Sequence, residues 1–351
     1  MGASIAISDR PNVKPASAAS RIPAFDFTKG ALVLFMVLYH WLNYFYGVEG
    51  DVYKYLRFLT PSFIFITGFL ISYVHLSKYG VGNPQLAKRL FWRGLKLLVV
   101  FVVLNLLITL VLPNSSARSM FFGRSGANLF AIFVSGNVYV DRTSKAAAFT
   151  ILVPIGYLLM VSAVLSLVCR FFKYSFHVAC GLLMLAVFLL GMQGIHSVIL
   201  ELLAIGLLGV VCGYATKEEM QKVVSHPLVA VVAYVAYLGA VTAWDAPFPL
   251  RIVGVLLTLI LIYMAGSGSG EPGRLRRRLI LLGKNSLFGY ISQIAILQAL
   301  RRGLGHTGLG MGVLIASFIA GFALTMFSVE AVDWLRPKSA AFDWCYRAVF
   351  A

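Results

Sequence analysis

Two ionisable side chains in the first apolar segment of the chain, Lys29 and His40, have a spacing that can support chemistry within a membrane. They stand eleven positions apart in KGALVLFMVLYH. Eleven residues of α-helix rise about 16 Å and complete nearly three whole turns, so both side chains lie on one face. If Lys29 marks the cytosolic edge of a bilayer, His40 lies near the middle of its roughly 30 Å hydrocarbon core. Ionisable groups are costly there, which makes His40 a candidate functional residue.

The histidine and the lysine support different interpretations. A neutral imidazole can take a proton from an attacking hydroxyl, or it can carry a transferred group. Lys29 also fits a simpler role, that of an anchor whose ammonium group reaches the membrane surface. The aromatic residues that follow His40 suit a sugar-binding face or an aromatic belt at the interface.

A second candidate group surrounds Pro61 in RFLTPSFIFITGF. Thr60 followed by Pro61 is typical of an N-cap and the first helical residue, so a helix is predicted to begin there. Its free backbone N–H groups, with Arg57 and Ser62 nearby, could bind the acceptor or a developing oxyanion. A proline kink with a packing face of small residues explains the same pattern.

A basic stripe opens the third apolar segment in KRLFWRGLK. Arg89, Arg93 and Lys96 recur at spacings of four and three, so they share one helix face. Because guanidinium groups bind phosphate in bidentate fashion, the stripe is predicted to bind a phosphorylated donor. Anchoring to anionic lipid is the alternative.

Glu201, in HSVILELLAIG, is an acidic residue that falls within a predicted membrane span. A charge in such a place indicates a functional site, and here it could orient His40 or bind an acceptor hydroxyl. A structural ion pair with Arg57 or Arg251 explains Glu201 equally well.

The amino-acid composition indicates whether this protein lies in water or in a membrane. Of the 351 residues, 60% are hydrophobic and only 12% are charged, about half the charged fraction of a soluble protein. The chain is therefore a polytopic membrane protein, and its net charge of +17 does not indicate a nucleic-acid partner. The four cysteines form no CxxC pair or Cys/His cluster, so no metal site or disulfide framework is predicted.

The predicted fold class is an all-α polytopic bundle of about ten transmembrane helices. The predicted domains are a disordered cytosolic tail (1–20), a transmembrane domain (21–335) and a cytosolic C-terminal tail (336–351). Within the transmembrane domain, the weaker apolar segment 114–146 is predicted to be an interfacial or re-entrant loop. The ten apolar segments lie near 30–47, 56–77, 94–113, 147–169, 175–192, 197–215, 226–243, 248–266, 284–300 and 309–330.

The distribution of Lys and Arg predicts that both termini face the cytosol. Most basic residues then lie on the inner side, including the runs LAKRLFWRGLK and GRLRRRLILLGK. The inverted arrangement would place RLRRR outside, against the positive-inside rule.

Several of these segments resemble the membrane-bound acyltransferase-3 superfamily. The first helix of that family has a basic residue, ten intervening positions and then a catalytic histidine. The segment RIPAFDFTKGALVLFMVLYHWLNYF is similar to it, with Lys29 and His40 at these two places. FLTPSFIFITGFLIS resembles the second helix, and KRLFWR resembles a basic RxxR motif, although the arginines here are four apart. In LGKNSLFGYISQ, the polar groups of Tyr290 and Gln293 are predicted to make interhelical hydrogen bonds. The segment resembles a late helix of the family that often ends in His where this chain has Gln293. TPSFIFITG is closest to the branch of the heparan-α-glucosaminide N-acetyltransferase catalytic domain.

The resemblance implies a multi-pass acyltransferase of a bacterial inner membrane. Such enzymes move an acyl group, often acetyl, from cytosolic acyl-CoA to a hydroxyl or amine of a cell-envelope glycan or lipid-linked acceptor. It implies that Lys29 and the basic stripe bind the CoA phosphates, and that His40 acts as general base or transient acyl carrier. No metal is implied.

Two other classes of protein fit part of the pattern. A proton-coupled transporter of a sugar or anionic substrate could use His40 and Glu201 as a proton relay. Such transporters often have broken helices in paired positions, and the sequence shows no such pairing. A structural membrane protein would explain the charge pattern but not His40.

Overall fold

A computed structural model describes residues 22–46, 51–111, 131–136, 148–169, 174–244, 247–268, 271–304 and 310–350. Within these ranges the regular secondary structure is helical, with no β-strand. The all-α class is therefore confirmed. In chain order the main helices are α1 (Pro23–Trp41), α2 (Leu59–Leu70), α3 (Pro84–Val111), α4 (Leu152–Val168), α5 (Ser175–Met192), α6 (Val198–Cys212), α7 (Lys217–Val224), α8 (Pro227–Trp244), α9 (Phe248–Gly266), α10 (Arg274–Lys284), α11 (Ser286–Leu304), α12 (Met311–Leu335) and α13 (Ala340–Phe350).

Seven helical stretches in the described ranges are long and apolar enough to cross a membrane. The pair α10 and α11 would add an eighth, bent by 95°. Helices α4 and α6 are apolar but shorter, at 17 and 15 residues. Each of the ten predicted apolar segments thus falls mainly on a helix. The number of ten membrane crossings and the cytosolic location of both termini stay predictions.

Helix α1 gives Lys29 and His40 the predicted geometry. It runs without a break from Pro23, which occupies the first turn, to Trp41, so the two side chains lie about 16 Å apart along one face. A single π-helical segment, Leu42–Tyr46, continues it.

The start of α2 differs from the prediction. Phe58, rather than Thr60, is the N-cap, and no side chain caps this helix. The reason is local, because the 3₁₀ turn Asp51–Leu56 and an αR-configured Phe58 lead straight into the helix. Thr60 therefore lies inside the first turn, and its predicted capping role is wrong.

The apolar segment 114–146 lies mostly outside the described residues. Its described part includes the π-helical turn Ala131–Ser135, which is held by neighbouring elements. Tyr157 donates a hydrogen bond of 2.9 Å to the carbonyl of Phe133, and Ser197 donates one of 3.0 Å to Val134. This turn packs against α4 and the start of α6, and the re-entrant role of the whole segment stays a prediction.

Glycines fix α10 against α1 beside Lys29. A Cβ atom built on Gly283 would lie 1.6 Å from the carbonyl oxygen of Asp26, and one on Gly30 would lie 2.0 Å from that of Leu279. The backbones can touch only because both positions lack a side chain. The basic helix α10 is thereby joined to the first turns of α1, and the chain then bends at Asn285 into α11.

We expect Gly283→Ala to destabilise the protein, because the new methyl group must push α1 and α10 apart. Overpacking of this kind costs about 1–3 kcal/mol. Gly181→Ala in α5 is the matched control, since a Cβ there meets nothing within 4 Å. Thermal unfolding in detergent should show a lower midpoint for Gly283→Ala alone. Equal midpoints for the two variants would contradict the close crossing.

Candidate functional site

Three cavities surround the Lys29 end of the bundle, called here the basic end. The basic cavity, of about 880 Å³, is lined by Lys88, Arg89, Arg93, Lys96 and other cations. The channel cavity, of about 300 Å³, and the side cavity, of about 780 Å³, adjoin it. His75 and Arg93 line all three, so the cavities meet at these two side chains.

The predicted donor-binding residues gather at this junction. Arg89 and Lys96 line the basic cavity with Arg93, and Lys96 also reaches the channel cavity. Lys29 lines the channel and side cavities, where its Nζ lies 2.7 Å from Oδ1 of Asp26. Asp26 is only 3% exposed, so the ion pair fixes the ammonium group of Lys29 at the lining of these two cavities.

Sequence reasoning missed part of this basic lining. His75, in the π-helical continuation of α2, and Lys284, at the end of α10, face the same space. Arg336 and Tyr346 enter from the C-terminal region. Lys284 belongs to a basic run that is visible in the sequence. Its position at the basic cavity depends on the bend at Asn285, which the sequence does not show. No sequence signal identifies Tyr346.

The channel cavity has a mixed lining. Cations such as Lys29, Arg93 and Lys96 share it with apolar and aromatic side chains such as Leu159 and Tyr290. Such a cavity suits a long ligand with an anionic end and a less polar arm.

His40 lies in a cluster of aromatic side chains near Tyr290. Its ring centroid is 5.1 Å from that of Tyr39 and 5.9 Å from that of Tyr44, which stacks on it. Tyr44 accepts a hydrogen bond of 3.5 Å from Gln298, and Tyr290 is close enough to interact electrostatically with both tyrosines. The His40 Nε2 atom is shielded from solvent. The imidazole thus lies in a cluster of tyrosines that is within electrostatic range of Tyr290, a residue that lines the channel cavity.

Gln293 is the most unusual polar residue of α11. Its side chain is 0% exposed, and neither atom of its amide has a hydrogen-bond partner among the described residues. Burying an unpaired amide costs about 1–3 kcal/mol on the scale of protein mutations. A group with that cost requires a function or a ligand to explain it.

The register of the helices places Gln293 alongside the part of α1 that carries His40. A Cβ on Gly289, one turn before Gln293, would contact Val33, and a later turn of α11 hydrogen-bonds to Tyr44. The two helices thus run in the same direction, and Gln293 lies between the levels of Val33 and Tyr44. The sequence alone predicted interhelical hydrogen bonds for this residue, and the described residues supply none.

Glu201 lies in an ion pair. Its Oε2 is 3.0 Å from Nη2 of Arg251, and its Oε1 is 3.8 Å from Nδ1 of His196. Of the two basic partners considered for Glu201, the structure shows Arg251. Its predicted role in orienting His40 stays a prediction.

The predicted acceptor or oxyanion group is dispersed. Arg57 is exposed, Thr60 is half-buried and Ser62 is fully buried. The Ser62 hydroxyl donates a 2.7 Å hydrogen bond to the carbonyl of Phe58, within its own helix. Its hydrogen is thus already used, as the packing interpretation of this segment requires.

No group of three or more His, Cys, Asp or Glu side chains in the described ranges could hold a metal ion. The clustered functional groups are instead cations at the basic end and a histidine among tyrosines.

The comparisons with known proteins agree with this geometry. The family model described as heparan-alpha-glucosaminide N-acetyltransferase, catalytic, matches residues 21–294. No curated protein and no solved structure matches the chain.

Proposed function

The chain belongs to the heparan-α-glucosaminide N-acetyltransferase catalytic family, and we propose that it moves an acetyl group from acetyl-CoA to an acceptor in the cell envelope. The family supports a membrane acetyltransferase-like function. The donor, and an acceptor that is a hydroxyl or amine of a glycan or lipid-linked sugar, are our proposal. The family match does not favour the transporter.

One observation carries the proposal: the basic cavity continues through Arg93 into a channel cavity whose lining includes Tyr290. Tyr290 in turn lies within electrostatic range of Tyr39 and Tyr44, whose rings flank His40. A donor with several phosphates and a long arm matches this sequence of environments. Guanidinium and ammonium groups would bind the phosphates, and the arm would carry the thioester toward the histidine.

Arg89, Arg93 and Lys96 are proposed to bind the phosphates, with Lys29 at the inner edge of the same site. Trp92 also lines the basic cavity, and its indole is exposed. An exposed indole can stack on a purine base. The site therefore offers both a charged and a planar contact to a nucleotide.

The proposed reaction is a direct acyl transfer. The acceptor oxygen or nitrogen attacks the thioester carbonyl, the new C–O or C–N bond forms, and the C–S bond breaks. His40 takes the acceptor proton and returns it to the departing thiolate, so acetyl acceptor and CoA are the products. If His40 is instead the acyl carrier, its ring nitrogen attacks the thioester carbonyl, the C–S bond breaks and the CoA thiolate leaves. The acceptor then attacks the carbonyl carbon of the acetyl-imidazole, the N–C bond breaks, and the acceptor proton passes to the thiolate, so the products are the same.

On the acceptor side, Arg57 and Thr60 stay candidates, since both have some exposure. Ser62 contributes by packing, because its hydroxyl is bonded to Phe58. Glu201 and Arg251 would fix α6 to α9 as an ion pair rather than act on the reacting groups.

The function is tested by analysing envelope glycans from cells with and without the gene. The proposal predicts a mass increment of one acetyl group that depends on the gene. In a second arm, purified protein in liposomes receives labelled acetyl-CoA and extracted glycan. Uptake of free sugar without covalent label would overturn the proposal in favour of transport.

We expect Gln293→Leu to raise the stability of the protein and to lower its activity. Removing an unpaired buried amide should raise the free energy of unfolding by about 1–3 kcal/mol. The same change should lower acetyl transfer if the amide hydrogen-bonds the reacting groups. Gln221→Leu, at an exposed position of α7, is the control. If Gln293→Leu gains no stability and transfers acetyl at the full rate, a role of the Gln293 amide at the reacting groups is contradicted.

A further inference from the structure

The C-terminal helix α13 forms one side of the cavities at the basic end. Tyr346 and Phe350 line both the basic cavity and the channel cavity, and Val349 lines the channel cavity. The family match ends at residue 294, so this wall comes from a part of the chain that the match does not cover. The sequence predicted only a tail there.

Tyr346 is held at the point where the two cavities join. Its hydroxyl donates a 2.6 Å hydrogen bond to Oδ1 of Asn285, which is 5% exposed and occupies the bend between α10 and α11. Asn285 lines both cavities as well. The pair thus connects α13 to the element that also positions Lys284.

Charged groups support the same placement of α13. Lys96 donates a 3.0 Å hydrogen bond to the carbonyl of Arg347, which joins the basic stripe of α3 to this helix. Asp343 pairs with Arg336 at 2.8 Å and also with Arg347. Hydrogen bonds from these two arginines hold the pKa of Asp343 below its usual range.

The ring of Tyr346 has a cationic and an aromatic neighbour. The guanidinium carbon of Arg336 lies 4.4 Å from the ring centroid, a cation–π distance. The ring of Phe350 lies 5.0 Å away. These contacts orient the ring, so both its face and its hydroxyl have defined positions at the junction.

We propose that Tyr346 is a donor-binding residue and that α13 completes the donor site. This inference rests on the proposed function, and it names the part of the donor that Tyr346 contacts. Between the phosphates and the thioester, CoA has an amide-bearing arm. That arm passes the junction where the Tyr346 hydroxyl donates to Asn285. The Tyr346 oxygen can still accept a hydrogen bond from an amide N–H of the arm, and the second N–H of the Asn285 amide can donate to an amide carbonyl.

The experiment compares Tyr346→Phe and Tyr346→Ala with the wild-type protein in detergent. The Kd of CoA is measured by calorimetry, and initial rates are measured against acetyl-CoA concentration. Loss of a single hydrogen bond in Tyr346→Phe should raise Kd and KM about 2- to 10-fold. Tyr346→Ala should raise them further, and kcat should change little because the contact is remote from the reacting carbonyl.

Trp344→Ala is the matched control, because Trp344 lies on the same helix with 72% of its surface exposed. It should leave Kd and KM unchanged. Unchanged Kd and KM in a folded Tyr346→Ala would overturn the inference, and if that variant does not fold, Tyr346→Phe decides in the same way. Failure of wild-type protein to bind CoA would instead overturn the proposed function.

Discussion

Replacing His40 with alanine is expected to lower the rate of acetyl transfer by about 10²- to 10⁴-fold, the usual contribution of a general base. The imidazole is the ionisable group at the end of the proposed donor path, next to Tyr39 and Tyr44. The rate is measured with labelled acetyl-CoA on purified protein in liposomes. Because His40 is half-buried rather than part of the fully buried core, the variant should fold.

His226→Ala is the control for this prediction, since His226 is exposed and hydrogen-bonds only locally, to Ser225 and Lys222. It should transfer acetyl at the wild-type rate. Incubation without acceptor separates the two roles of His40, because a carrier retains label on the protein and a base does not. Full transfer by folded His40→Ala would refute both roles.

The second large effect is expected for Arg93→Ala. Arg93 lines all three cavities at the basic end, so it would contact donor phosphate wherever the phosphate lies in that space. A hydrogen bond to a charged group contributes about 1.5–3 kcal/mol, which predicts a KM for acetyl-CoA raised about 10- to 150-fold. Arg93→Lys should be intermediate, because an ammonium group keeps the charge but loses the bidentate geometry.

Arg277→Ala serves as the matched control, because Arg277 is exposed on α10 and bonds to Pro272 and Glu271 outside the cavities. If anionic-lipid anchoring were the role of the basic residues, neither variant would change KM selectively. A KM for Arg93→Ala equal to that of Arg277→Ala would exclude Arg93 from the donor site.

The predictions that depended on local helical geometry agree with the structure. The spacing of Lys29 and His40, and that of Arg89, Arg93 and Lys96, needed only a continuous helix, and α1 and α3 provide it. The apolar segments were visible for a similar reason, because about 20 apolar residues are needed to cross a bilayer whatever the neighbouring helices are.

The features that depend on contacts between distant segments were not predictable in the same way. The bend at Asn285 lies two residues after the close crossing of Gly283 with α1, and no local sequence pattern predicts it. The side chain of Tyr346 reaches the cavities only because α13 folds back onto the basic end. Thr60 is not the N-cap because the residues before it are already helical. The Thr-Pro pair in the sequence gives no information about those preceding residues.

Glu201 illustrates an intermediate case. The sequence offered an ion pair with Arg57 or Arg251, and only the tertiary structure, which brings Arg251 of α9 to Glu201 of α6, selects Arg251. Gln293 shows the reverse, because its sequence pattern suggested a routine interhelical bond and the structure leaves its amide unpaired. Burial, rather than residue type, is what makes Gln293 notable.

The central claim is that donor binds at the basic end and that its acetyl group reaches an acceptor through His40. The most direct test reconstitutes the protein in one orientation in sealed liposomes and supplies labelled acetyl-CoA to a single side, with glycan acceptor on both. The account predicts label on the acceptor only when the donor is on the side of Lys29 and Arg93, and none with His40→Ala. Equal labelling from either side, or labelling that survives His40→Ala, would contradict it.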